Sequence, residues 1–484
     1  MRSFFVLVFV IGFFQLSIAD SSSYLWRANA AASIQQVIGL DNQANLPSQG
    51  GALHLAAGSN GLVYMVGQAV VNGPNNVPYL WVDAQGVIQG VELKNSSGAS
   101  FSNTESIAKS VAIASNGSAY IIGAGGGSVL VPYVWKNSSG TFQGVELKDA
   151  TGSSFIGGGQ AVNVAISSGG IVYIVGNGAN GSGATLPYVW TNSSQTYQGI
   201  ELKDSSNNSL GTGGAFAVTI SSQGIVYIVG TGTPSAGSIP LPYLWTNSSG
   251  AFVGTELPSA GGSFSGQSGA LSVAISSNEI VYAVGFATIT SVQYPYLWTN
   301  SSGAYQGIEL KNASGLSFDG ANSSASSVVL TSNNVAYVIG TGVVAELILP
   351  YVWTNSSGTF AGIELKDNSG DSFLLGQGFS VDVSSNDTVY GVGYGFTSAS
   401  GSNSLPYLWS NSAGAFQGFE LTNTDGSSLG GLIALNLALS QGLSPADTLV
   451  RSVDQFGNRK FLKTFQKANS TSTQVYIIGS TPKG

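Results

Sequence analysis

Short apolar runs, each bounded by clusters of Gly, Ser, Asn and Asp, follow one another along almost the whole chain. Ala161–Ile166, Ile171–Val175, Pro187–Trp190 and Tyr197–Leu202 show the pattern most clearly and predict four strands, A to D. The A and B runs are joined by Ser-Ser-Gly-Gly at 167–170, with Ser-Asn-Gly at 115–117 and Ser-Gln-Gly at 222–224 in the same place. Between C and D lies an Asn-Ser-Ser-Gly turn, as at Asn137–Gly140, Asn247–Gly250, Asn300–Gly303 and Asn355–Gly358. Gly and Asn accept the positive φ of a tight reversal, so each unit reads as four antiparallel strands.

The units repeat. Tyr and Trp two residues apart mark the C run at Tyr24/Trp26, Tyr79/Trp81, Tyr133/Trp135, Tyr188/Trp190, Tyr243/Trp245, Tyr296/Trp298, Tyr351/Trp353 and Tyr407/Trp409, at intervals of 53 to 56 residues. Four-stranded sheets at this period predict an all-β fold, an eight-bladed β-propeller. A solenoid has shorter coils and needs capping ends. Here the N-terminus supplies only C and D runs, Tyr24–Trp26 and Ile34–Leu40, and the C-terminus only A and B runs, Leu432–Leu439 and Val475–Gly479. Joined, the two halves complete the eighth blade and leave no open edge.

At Ser272–Ser276, Val281–Gly285, Tyr296–Trp298 and Gly307–Leu310 the chain resembles the HAF-type extracellular repeats, and the pattern recurs along nearly its whole length. Leu-Pro-Tyr or Val-Pro-Tyr, as at Leu186–Tyr188 and Val131–Tyr133, replaces that family's His-Ala-Phe. The resemblance implies an exported propeller and leaves activity open, because propellers host many functions.

Composition narrows the setting. With no Cys, disulfides and thiolate sites are excluded. The net charge of −8 comes without a basic stripe, which argues against a nucleic-acid partner. Arg2, the apolar run Phe4–Phe14 and Ser17–Ala19 read as a signal peptide over 1–19, followed by one domain over 20–484. A secreted protein, periplasmic or extracellular, is expected. The apolar run is shorter than the roughly 20 residues that span a bilayer, so no stable membrane anchor is expected.

Candidate chemistry is sparse. The repeated Trp residues fit packing between blades, the alternative being exposed platforms for sugars. Glu92, Glu146, Glu201, Glu256, Glu309, Glu364 and Glu420 recur in the D runs, with Lys94, Lys148, Lys203, Lys311 and Lys366 two residues later, which predicts a ladder of exposed ion pairs. In the loops that follow, Asp367, Ser369 and Asp371 come nearest to a calcium set, with a polar turn the simpler reading. The single histidine, His54, occupies an A run where other units are read as carrying Val or Ala, and is expected to be structural. Sequons at Asn95, Asn137, Asn192, Asn247, Asn300 and Asn355 double as turn residues. No cofactor is expected.

One insertion, about 441–473, breaks the repeat. Ser444 and Pro445 suggest a helix start, with Leu449, Val450, Val453 and Phe456 at helical spacing before Gly457. Arg451, Arg459, Lys460, Phe461, Lys463 and Phe465 make it the candidate partner-binding element, the alternative being a plug at the joint between the termini. The leading functional expectation is a non-enzymatic binding or scaffold propeller for a protein or carbohydrate partner. A lectin using the repeated Tyr/Trp sites and a hydrolase with carboxylates at the channel are the alternatives.

Overall fold

The computed structural model describes residues 23–480, apart from 30–33, 41–48, 442–448, 453–459, 464–472 and some turn positions of one to five residues. The protein is an eight-bladed β-propeller of four-stranded antiparallel blades, with no helix among the described residues. The inner A strands of blades 1 to 8 are Gln49–Ala57, Ile107–Ile113, Gly159–Ile166, Gly213–Ile220, Gly269–Ile275, Ser324–Leu330, Leu375–Val383 and Ile433–Gln441. In blade 3 the B, C and D strands are Val172–Ala179, Thr185–Thr191 and Gln198–Glu201.

Blade 8 is made from both termini. Its A and B strands, Ile433–Gln441 and Thr473–Ser480, pair with each other, and Thr473–Ser480 then takes up Ser23–Asn29 as strand C, with Trp26 opposite Ile477. Ile34–Gly39 completes it as strand D. The joint carries locks of its own: Arg27 of blade 8 is ion-paired with the buried Asp83 of blade 1, and Ser23 Oγ donates to Gly50 O at 3.1 Å.

Two repeated glycines explain much of the unit's sequence. Every A strand carries one β-bulge, at Ala52/His54, Ala108/Ser110, Ala161/Asn163, Ala215/Ala217, Ala270/Ser272, Ala325/Ser327, Gly378/Ser380 and Ala434/Asn436. A B-strand glycine sits at each bulge, among them Gly176, Gly230 and Gly285, where a Cβ would collide with the A-strand carbonyl. In blades 1 to 7 the second glycine lies opposite the tryptophan in strand D, as Gly199 lies opposite Trp190 and Gly254 opposite Trp245, whereas in blade 8 Val37 stands opposite Trp26. The glycine leaves room for the preceding blade's carbonyl to reach the indole.

That contact joins all eight blades. Trp135, Trp190, Trp245, Trp353 and Trp409 donate Nε1–H to the carbonyls of Lys94, Lys148, Lys203, Lys311 and Lys366 at 2.7–2.9 Å. Trp298 donates to Pro258 O at 2.8 Å, Trp81 to Leu40 O at 2.9 Å and Trp26 to Thr422 O at 3.3 Å. All eight indoles are 0% exposed. Beside most of them the paired tyrosine stacks, as Tyr188 does on Trp190 at 5.7 Å, and Phe101, Phe155, Phe318 and Phe373 from loops pack edge-on against Trp135, Trp190, Trp353 and Trp409.

Replacing Gly254 by Ala is therefore expected to cost about 2–4 kcal/mol in equilibrium denaturation, since either the Lys203 carbonyl or the blade must move. Trp245→Phe, which loses the donor and some volume, should cost about 1–3 kcal/mol. Gly254→Ala unfolding at the wild-type denaturant midpoint would show that this contact is dispensable.

Candidate functional site

The structure reassigns most of the repeated residues to the framework. The Tyr and Trp of each C strand are buried or nearly so, which removes them as sugar platforms: their faces are covered by the neighbouring blade and by the loop phenylalanines. The ladder of Glu–Lys ion pairs does not form. Strand D ends at the glutamate, as in Tyr188 opposite Glu201, so the lysine lies beyond the strand, where its carbonyl is held by the next blade's tryptophan. The glutamates instead face the C-strand tyrosines.

The calcium candidate is a closed turn. Asp367 Oδ1 accepts from Ser369 N and Asp371 N, each at 2.8 Å, so the oxygen a cation would need is already engaged. Asp204 does the same with Ser206 N and Asn208 N, and these bonds, Asn208's above all, hold its carboxyl below the ordinary range. Among the described residues no group of three or more His, Asp or Glu could hold a metal. Asn192, Asn247, Asn300 and Asn355 each accept at 2.8 Å from the first N–H of a B strand, an anchoring role for the sequon side chains.

His54 is a bulge residue, and its counterparts are Ser110, Asn163, Ala217, Ser272, Ser327, Ser380 and Asn436, so the Ala read from the sequence occurs in blade 4 alone and the other six are Ser or Asn. The bulge shifts the register by one residue and hides the correspondence. Its Nδ1 accepts from Val111 N of blade 2 at 3.3 Å. Ser272, Ser327 and Asn436 accept the equivalent N–H of the next blade, so the histidine is one member of a buried polar ring.

The insertion is not helical where it is described. Leu449–Ser452 pairs with the inner edge of blade 1, Arg451 opposite Leu55, and Lys460–Lys463 pairs with Leu449–Ser452, Phe461 opposite Arg451. An A strand's inner edge offers unpaired backbone groups, and a β-prone Leu-Val segment satisfies them better than a short free helix could. Lys460–Lys463 runs against the A strands of blades 3, 4 and 5, so the hairpin crosses the channel. Arg459 and Phe465 lie outside the described residues, as do the leader residues 1–19.

A recess that the sequence did not reveal opens at the other end of the channel. Its volume is about 940 Å³, and it is framed by the starts of the A strands of blades 3 to 7 and by the adjoining B–C and D–A loops. Gln160, Asn177, Gln267, Gln293 and Gln377 contribute amides, and Thr231, Thr341, Ser324 and Ser326 hydroxyls. Phe216, Phe286 and Phe379 supply rings. Glu105, exposed at the rim, is the one charged side chain in the described lining. The signal was present as irregularity: these positions change from blade to blade while the packing residues repeat.

No family model matches the chain, and no curated protein matches it. Among solved structures it is similar to the β-propeller domain of the Trilobed protease from Pyrococcus furiosus, at 11% identity and TM-score 0.41 over 77% of this chain and 98% of that one. It is similar also to an ulvan lyase of polysaccharide lyase family PL25, at 10% identity and TM-score 0.37 over 85% and 96%. The α-L-arabinofuranosidase of Fusarium graminearum gives 10% identity and TM-score 0.35 over 65% and 92%. Likenesses this distant concern architecture and say nothing of activity.

One pH effect follows from the facing tyrosines. Burial first, and then Glu256 and Glu364, push Tyr243 and Tyr351 from the ordinary 10.0 up to about 12. A phenol whose folded pKa exceeds its unfolded value stabilises fully below the unfolded value and loses that contribution as pH rises through the folded one. Stability should thus hold to about pH 10 and fall towards pH 12. Tyrosinate absorbance and tryptophan fluorescence should change together; ionisation of these tyrosines near pH 10 in the folded protein would contradict the arrangement.

Proposed function

We propose that the chain is a non-catalytic binding propeller, secreted, whose ligand enters the recess at the channel mouth. The observation that carries this reading is the recess itself, concave, built on rigid strands and lined by converging polar groups among phenyl rings. The chemistry of the lining favours binding over hydrolysis. A glycosidase needs two carboxylates about 5 to 9.5 Å apart, and the described lining holds Glu105 alone and no histidine. Apart from those on D strands, the large exposed apolar side chains Val129, Ile156, Ile239, Leu316, Leu347 and Leu374 lie in B–C or D–A loops or at the start of a C strand, on the same face as the recess. A partner meeting that face would bury them. The HAF-type resemblance supports an extracellular setting for the same activity.

The test is a calorimetric screen of oligosaccharides and short peptides against the full chain and two variants. Thr212→Trp and Ser128→Trp each fill the recess from an exposed position. Both should abolish binding of any true ligand while leaving thermal melting unchanged. Ligands that bind the variants as well as the wild type, or a bond cleavage lost in Glu105→Gln, would overturn the proposal.

A further inference from the structure

We infer that the ligand of the recess is a neutral saccharide. This rests on the binding reading above and adds the ligand's chemistry. Charge decides the first step. The described lining contains no lysine or arginine, and its one carboxylate, Glu105, is exposed at the rim. Lys109, outside that lining, already gives its ammonium to Gln160 Oε1 at 2.6 Å, so an anionic ligand would shed its hydration to compete for an engaged cation, while a cationic one would meet a single solvent-screened charge. A wholly apolar ligand is disfavoured for the opposite reason, since it would strip water from Asn177, Gln267, Gln293 and Gln377 and return no hydrogen bond.

What remains is a neutral ligand that both donates and accepts. A side-chain amide offers two donors and an acceptor, and a sugar hydroxyl offers the complement. Gln293 shows how such a group is held: its Nε2 donates to Ser323 O at 2.9 Å, which orients the amide and leaves Oε1 as an acceptor. Phe216 and Phe286, half-buried in adjacent blades, provide the apolar counterpart, because the electron-rich face of a phenyl ring suits the C–H face of a pyranose. Glycines keep both rings uncovered. A Cβ at Gly214 would press within 3.0 Å of the Phe216 ring, and one at Gly269 would come 3.4 Å from that of Phe286.

A peptide is also neutral along its backbone and bonds in both directions. Its groups run along a line, however, and are best met by a strand edge. Here the amides and hydroxyls stand on five blades around an axis, which matches hydroxyls radiating from a ring.

The experiment is titration calorimetry of the full chain with three sets of probes: neutral hexose and pentose oligosaccharides, uronate-containing or sulfated oligosaccharides, and uncharged short peptides. At least one neutral oligosaccharide should bind with an affinity unchanged between low and high salt. Gln377→Ala and Phe286→Ala should each weaken it about tenfold or more, with the melting temperature retained, and Thr212→Trp should abolish it. Charged saccharides binding instead, with affinity falling as salt rises, would overturn the inference. A peptide blocked by Thr212→Trp would also overturn it while leaving the recess as the binding site. Saccharide binding indifferent to all three substitutions would sink both the inference and the site.

Discussion

The hydrogen bond from each tryptophan Nε1 to a carbonyl of the preceding blade is the constraint on which the rest of the ring depends. In blades 1 to 7 it brings three things together: an indole aimed across the interface, a glycine opposite it in strand D, and a carbonyl held just past the end of the preceding blade's D strand; in blade 8, where Val37 stands opposite Trp26, the bond is the longest of the eight. All three are met at Trp190, Gly199 and Lys148, for example, and a Cβ at Gly199 would occupy the carbonyl's place. A buried indole N–H without a partner would cost about 1–3 kcal/mol. The eight contacts are therefore favourable together only when the ring is complete. Trp26 with Thr422 and Trp81 with Leu40 supply the last two, and both run through blade 8, the blade made of the two termini.

This framework explains why so little of the repeat carries function. Within each of blades 1 to 7, the Tyr, Trp and Leu side chains pack, the two glycines make room, and the glutamate lies opposite the tyrosine; in blade 8 Gly39 takes the glutamate's place. The bulge adds a second ring of contacts nearer the axis, where His54, Ser272, Ser327 and Asn436 take up N–H groups of the next blade. Such a scaffold frees the strand starts. Phe216, Leu271 and Ser326 differ from one another although each is the extra residue of an equivalent bulge, and together with Gln160 and Gln377 they frame a recess with no counterpart in a single blade.

The ring, its eight blades and the shared closing blade were legible because the Tyr-x-Trp period and the half units at the two ends are one-dimensional signals. Residues whose meaning depends on the neighbouring blade were not. Lys203 is two residues from Glu201, which suggests a shared face, yet the strand has ended and it is the lysine's carbonyl that matters. His54 was read against the wrong counterparts because a bulge offsets the alignment by one. The recess escaped because its members lie on six blades, up to hundreds of residues apart, at positions a repeat search discards as noise.

The insertion shows the same limit and also gives the channel its polarity. Leu449, Val450, Val453 and Phe456 are spaced as in a helix, but the inner edge of a propeller blade is an unfilled row of backbone donors and acceptors, and Leu449–Ser452 fills it. The pairing involves Leu55, Ala56 and Ala57, in the second half of that A strand, whereas the recess uses the first halves of the A strands across the ring. One end of the channel is thereby crossed by a two-stranded ribbon while the other stays open, so a ring of eight similar units acquires two unlike faces. The open one also carries the exposed apolar loop residues, and the variable side chains, the concavity and the apolar rim coincide there. That coincidence, which no single blade's sequence requires, is the physical reason for placing the ligand at the mouth and not at the repeated aromatics.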